Sequence, residues 1–314
     1  MPDLPSPAPV ALPPPPTHPV AVYLAGLAPG SRRTMAGALR RAAEILAPGV
    51  PFDQFPWGQL RRAHVQAVRA KMLEGSAPAT VNKALAALRG VVREASELGL
   101  IRADEAARAL AVAGVRGDRP PAGRALAAGE VRALFSLCRR PTAAAARDAA
   151  ILALLFGAGL RRAELVGLEF EDLRADEGVV VVRGKGDRRR RVSLPSGTLL
   201  ALRAWLAHRG SQPGPLLWPV RSNGQLLAHR ALTEQAIYHL LRRLGPRAGL
   251  ARFSPHDLRR TYIGELLEAG ADLAVVQRLA GHRSPLTTSR YDRRPEAAQQ
   301  RAVERLHVPF AGVE

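Results

Sequence analysis

Two short runs of β-favouring residues, Val179–Arg183 and Arg189–Leu194, flank the Gly-containing turn Gly184-Lys185-Gly186-Asp187 and read as one hairpin. The rest of the chain carries helical punctuation, so the expected fold is mainly α with one small antiparallel β-sheet. Ser31 is placed to cap a helix running to Leu46, stopped by Pro48-Gly49. A second helix spans about Leu60 to Leu73 and ends at Gly75. Thr80 is placed to cap a third, whose Val81, Leu85, Leu88, Val91, Val92 and Leu98 recur at near-helical spacing before Gly99 ends it. A short helix follows Asp104. Four or five short helices over residues 17–115 make a small all-α domain.

Residues 1–16 are Pro-rich and cannot build a core, which predicts a disordered or polyproline tail. Residues 116–125, containing RGDRPPAG, have the composition of a linker, and residues 126–314 form a second domain that is helical apart from the hairpin. The longest apolar run, Ala149–Leu160, is shorter than the roughly 20 residues of a spanning helix. It leads straight into Arg161-Arg162 and reads as a buried core helix, so no membrane partner is expected. No basic region followed by an apolar one opens the chain, and no secretory signal is expected. The single cysteine, Cys138, excludes an intrachain disulfide and reads as a buried thiol in a cytoplasmic protein.

Charge narrows the partner. Lys and Arg number 46 against 27 Asp and Glu, a net +19, which points to a polyanion because basic side chains release counterions as they neutralise phosphates. In the first domain Arg32, Arg33, Arg40, Arg41, Arg61, Arg62, Lys71 and Lys83 form solvated faces that collectively suit a DNA backbone. Only three of the 46 cations are lysine: Lys71, Lys83 and Lys185. Where arginine is the default, a retained lysine marks either a position neutral to the choice or one that needs a transferable proton.

Four motifs carry chemistry. In Gly159-Leu160-Arg161-Arg162-Ala163-Glu164-Leu165 an apolar helix ends and a new one starts at the arginine, with Glu164 on the same face three residues on. That carboxylate can hold the guanidinium, and by itself the pair equally reads as a surface ion pair. Lys185 stands at the hairpin tip; a phosphate-binding Gly-rich loop does not fit, because Gly186 stands where Ser or Thr should be. His256 and Arg259 share one face at a helix start after Ser254-Pro255, where helix amides, His and Arg make an anion site. Gly281-His282 precedes Thr287-Thr288-Ser289-Arg290-Tyr291. No zinc pattern and no two-metal cluster of Asp and Glu is evident, so phosphate chemistry here would be metal-free and would need cationic side chains to stabilise the transition state. Two Arg, two His, one Lys and one Tyr meet that need.

Gly159–Leu165, Lys185 in its hairpin, His256 with Arg259, Gly281-His282 and Tyr291, in this order, resemble the tyrosine recombinase family of phage integrases and Xer-type recombinases. The resemblance covers nearly the whole chain. It implies a helical core DNA-binding domain (a SAM-like bundle) over residues 17–115 and a catalytic domain of the DNA breaking-rejoining enzyme fold over 126–314. Arg260 stands where the family often has His, outside the catalytic set. The resemblance further implies that Arg161 and Arg259 grip a scissile phosphate, His256 and His282 add hydrogen bonds, Glu164 orients Arg161, Lys185 protonates the leaving 5′-oxygen, and Tyr291 attacks phosphorus. The product is a 3′-phosphotyrosine, formed without metal, ATP or other cofactor. Tyr262, three residues after Arg259, is the rival nucleophile, but its apolar surroundings favour core packing. The implied partners are double-stranded DNA bearing an inverted-repeat site, three further protomers in a tetramer that passes through a Holliday junction, and a possible second recombinase. A nucleoid-associated location follows. The lack of an extra N-terminal domain favours an Xer-like over a phage-type role. The alternatives are a type IB topoisomerase with the same chemistry and a non-catalytic DNA-binding protein.

Overall fold

Pro29 and Pro78, rather than Ser31 and Thr80, open the two long helices of the N-terminal half. In the computed structural model, which describes residues 18–117, 123–184, 189–282, 284, 288–289 and 303, helix α1 spans Pro19–Ala25, α2 Pro29–Leu46, α3 Arg62–Leu73, α4 Pro78–Glu97 and α5 Ala103–Leu110. Proline fixes φ near the helical value and lacks an N–H, so it fits the first helical position, where that N–H would have no intrahelical partner. Each proline therefore sets its helix start two residues upstream of the hydroxyl residue, and neither hydroxyl caps its helix. A 3-10 turn at Trp57–Gln59 precedes α3 and buries Trp57, whose Nε1 donates to the Phe52 carbonyl at 2.9 Å.

The chain divides into two compact units, Met1–Pro121 and Ala122–Glu314. In the first, α4 is the central element. Its Val81, Leu85, Leu88, Val91 and Val92 are fully buried and meet Leu39 of α2 and Val65 and Val68 of α3. Burying side chains of this size contributes roughly 1.5–3 kcal/mol each.

In the second unit, α6 spans Ala128–Ser136, α7 Ala143–Gly157, α8 Arg162–Val166, α9 Ser196–Arg209, α10 Glu234–Arg247, α11 Pro255–Glu268 and α12 Leu273–Ala280. The apolar run read from the sequence lies largely in α7, which packs on α9 with Ile151, Leu152, Leu154 and Leu155 buried. Thr142 caps α7, its hydroxyl accepting from the Ala145 amide at 3.2 Å. Cys138 is half-buried, its thiol on the Leu134 carbonyl at 3.7 Å, and burial pushes its pKa up to about 11. Such a thiol is not a nucleophile.

The hairpin forms as β2, Val179–Arg183, and β3, Arg189–Ser193, and Leu173–Arg174 adds a two-residue β1 on the outer side of β2. All three pair antiparallel. Val180 pairs with Val192 and Val182 with Arg190, so every second residue of β3 faces the buried side of the sheet. The hairpin tip, residues 185–188, and the segment expected as a linker, apart from its ends, lie outside the described residues. So do the proposed tail and most residues after 282. Among the described residues no helix is long and apolar enough to cross a membrane.

Candidate active site

Helix α7 stops because Gly159 turns the chain with φ 60, a left-handed conformation that side chains rarely adopt. A Cβ there would also run into the Tyr262 ring. The turn delivers Arg161 as the N-cap of α8. Glu164, three residues on, closes a capping arrangement: its carboxylate accepts from the Arg161 main-chain N–H at 2.9 Å and from Arg161 Nη1 at 2.7 Å. The expected pairing of Glu164 with Arg161 is present. It is one-sided in exposure, since the Arg161 side chain is 43% exposed and that of Glu164 6%.

Helix α11 presents His256 and Arg259 on one face and uses the adjoining face as an anchor. The Asp257 carboxylate accepts from the Ser254 amide at 2.9 Å, the Ser254 hydroxyl at 2.8 Å and the Arg124 amide at 2.9 Å. Arg260 Nη1 donates to the Gly123 carbonyl at 3.0 Å, and the Leu126 amide donates to Thr261 Oγ1 at 2.9 Å. The first described residues of the second unit are thus tied directly to the helix that carries two site residues.

The C-terminus of α12 is the meeting point. Gly281 ends this helix in the left-handed region, φ 63, and passes the chain to His282. The carbonyls of Leu279, Ala280 and Gly281 have no partner within the helix, and three guanidinium groups take them in turn. Arg190 Nε donates to Leu279 at 3.3 Å, Arg259 Nη2 to Ala280, and Arg161 Nη2 to Gly281 at 2.9 Å. Arg259 Nη1 also donates to the Gly159 carbonyl, which joins the α12 end to the α7–α8 turn. Cations at a helix C-terminus are electrostatically favoured as well. His282 Nδ1 lies 2.9 Å from the buried Thr288 hydroxyl.

Arg161, Glu164, His256, Arg259 and His282, spread over 122 positions of sequence, therefore converge. Arg190 joins them and was not singled out from the sequence. It stands in the run Arg188–Arg191, where composition does not distinguish the inward side chain; strand alternation with buried Val192 is the signal that does. Lys185 and Tyr291 lie outside the described residues. Tyr262 is buried at 7% exposure, in keeping with core packing, and burial raises its pKa.

The site's electrostatics follow from this crowding of cations. Burial alone would raise the Glu164 pKa, but hydrogen bonds from Arg190 and Arg161 outweigh it and hold the carboxyl at about 2. His282 is displaced to about 4, first by burial and then by the charges of Arg259 and Arg161. His256 keeps an open face but is desolvated by the walls of the site and sits beside Arg259, and its pKa is also lowered. Both imidazoles are neutral at pH 7 and can accept or relay a proton. Among the described residues no group of three or more His, Cys, Asp or Glu could hold a metal ion. The arrangement offers two guanidinium forks and two neutral imidazoles, which suits a phosphodiester.

The sequence matches the model of the family described as "Phage integrase family" over residues 124–297. It is 33% identical over 270 residues to tyrosine recombinase XerC of Azotobacter vinelandii, covering 83% of this chain and 85% of that one. The fold is similar to the Tn1549 transposon integrase in complex with transposon right end DNA, with a TM-score of 0.67 at 18% identity over 91% of this chain and 99% of that chain. It is also similar to a lambda integrase dimer bound to a COC′ core site, with a TM-score of 0.63 at 15% identity over 88% of this chain and 96% of that chain. The family match embraces α6 to α12, the hairpin and every position from Arg161 to Tyr291 singled out in the sequence, and the XerC similarity extends beyond it; the chain belongs to the phage integrase family and is a site-specific tyrosine recombinase, a DNA strand-transferase.

Proposed function

We propose that the chain binds double-stranded DNA at an inverted-repeat site and exchanges strands through a 3′-phosphotyrosine on Tyr291. Arg161 and Arg259 grip the non-bridging oxygens of the scissile phosphate. His256 accepts the Tyr291 phenolic proton, either directly or through water, as the oxygen attacks phosphorus, and His282 donates a hydrogen bond to the phosphate. Lys185 delivers a proton to the departing 5′-oxygen. The bond energy is conserved in the phosphotyrosine, so religation to a new 5′-hydroxyl needs no ATP or metal. Two such exchanges within a tetramer pass through a Holliday junction. Residues 17–115 act as the core-binding domain, residues 126–314 as the catalytic domain and residues 116–125 as their linker, in a cytoplasmic protein.

The observation that carries this reading is the shared anchoring of Arg161 and Arg259 on adjacent carbonyls of α12, next to neutral His256 and His282. Pre-set cations at a developing charge need no reorganisation during reaction. The test is covalent capture. Wild type and Tyr291→Phe are mixed with nicked, fragmented host DNA, denatured with SDS, and the attached DNA is sequenced. Adducts that depend on Tyr291 and map to one short inverted repeat are expected. Adducts scattered without sequence preference, or equal with Phe at 291, would overturn the assignment.

A further inference from the structure

Strand β3 reaches the site through one side chain. Arg190 donates from Nη1 and Nη2 to the two oxygens of Glu164, each at 2.9 Å, while its Nε reaches Leu279. Its side chain is 17% exposed. The same carboxylate takes the Arg161 main-chain N–H and Arg161 Nη1. One buried anion therefore serves two cations.

This sharing has a geometric and an electrostatic side. A two-pronged contact fixes both Glu164 oxygens, so the carboxylate offers Arg161 a single direction. Glu164 and Arg161 alone would form a neutral pair, with the Arg161 charge largely cancelled before any phosphate arrives. With Arg190 the trio keeps a net +1. Gly281 belongs to the same device: a Cβ there would stand 3.1 Å from the Arg190 guanidinium.

We propose that Arg190 is a positioning residue for DNA strand cleavage: acting through Glu164, it orients Arg161 and leaves the pair's positive charge available to the phosphate. This rests on the proposed role of Arg161 as a phosphate clamp. The experiment measures the single-turnover rate of covalent adduct formation on nicked, fragmented host DNA at saturating concentration, with DNA affinity measured separately. The chains are wild type, Arg161→Ala, Arg190→Ala, Arg190→Lys and the double alanine variant. Arg190→Ala is expected to slow capture about 10–100-fold, the usual loss when a supporting partner is removed, with little change in affinity. Arg190→Lys, which keeps the charge without the fork, recovers part of the rate. The double variant is no slower than Arg161→Ala. Wild-type rate for Arg190→Ala beside a slow Arg161→Ala would overturn the positioning role alone. Multiplicative losses in the double variant would overturn it too, since Arg190 would then act independently of Arg161. A wild-type rate for Arg161→Ala would instead sink the clamp itself. Should the Arg190→Ala chain not fold, Arg190→Gln, which keeps one hydrogen bond without the charge, takes its place in the same comparisons.

Discussion

Glu164 is ionised against its own burial, and that conflict makes its contribution measurable. Its carboxyl moves from an ordinary 4.5 to about 2 because the Arg190 and Arg161 hydrogen bonds exceed the cost of desolvation. A displacement of that size corresponds to roughly 3 kcal/mol. The sign follows from the direction of the shift. The unfolded chain binds the proton more readily, so the stabilisation is complete above pH 4.5 and drains away as pH falls toward 2. Glu164→Gln keeps the shape and removes the charge. At pH 7 it should lower the melting temperature of the second unit by about 5–10 °C. Thermal melts across pH should show the gap between the two proteins narrowing below pH 4.5. A gap that stays constant from pH 7 down to about pH 2 would mean that the ionised carboxylate contributes nothing.

At the scale of elements, the site depends on where helices end, and one buried arginine secures a distant end. Arg209 closes α9 and is 3% exposed. Its guanidinium donates to the carbonyls of Gly210 at 3.0 Å, Gln212 at 2.7 Å, Gly214 at 3.1 Å and Pro215 at 2.9 Å. It also lies between the Phe170 and Trp218 rings, 4.8 and 4.4 Å from their centroids. The turn it gathers pairs with the segment following α8, through Phe170 N to Gly214 O and Leu216 N to Leu168 O, both 2.8 Å. Lysine cannot reproduce a planar fork that serves four carbonyls. Arg209→Lys should therefore cost roughly 2–4 kcal/mol, read as an earlier thermal transition of the second unit with that of the first unchanged. Coincident melts for the two proteins would refute it. The sequence made the apolar α7, the hairpin and the Ser254-Pro255 helix start legible, because hydrophobic runs and Pro signals are local. Arg161, Glu164, His256, Arg259 and His282 were legible through family resemblance, since no single motif distinguishes a site from a surface pair. Arg190 and Arg209 were not: Arg190 stands in a run of four arginines where only alternation with buried Val192 marks the inward one, and Arg209 is defined by the turn Gly210–Pro215 wrapping back onto it between two rings, which its place at a helix end does not announce. The hydroxyl caps at Ser31 and Thr80 were misread for a simpler reason: a proline two residues earlier begins the helix first.

For the molecule as a whole, charge is distributed over both units. Residues 1–121 hold 15 basic against 9 acidic residues, a net +6, and residues 122–314 hold 31 against 18, a net +13. In the first unit Arg33, Arg41 and Lys83 are exposed and have no acidic partner among the described residues, whereas Lys71 is held by Glu74 at 2.7 Å. Each phosphate neutralised on duplex DNA contributes a slope of about −0.9 to log affinity against log salt. On the proposed function, both units grip phosphates, and their contributions to that slope add. The full chain should lose about a thousandfold or more in affinity for a fragmented host duplex between about 50 and 200 mM salt. A chain starting at Ala122 should bind more weakly and with a shallower slope, by about one for each phosphate contact that the first unit supplies. Fluorescence anisotropy at several salt concentrations measures both slopes. If the two coincide, the exposed arginines of α2 to α4 are a solvated face and not a DNA-binding one, and the first unit's role must lie in contacts other than phosphates.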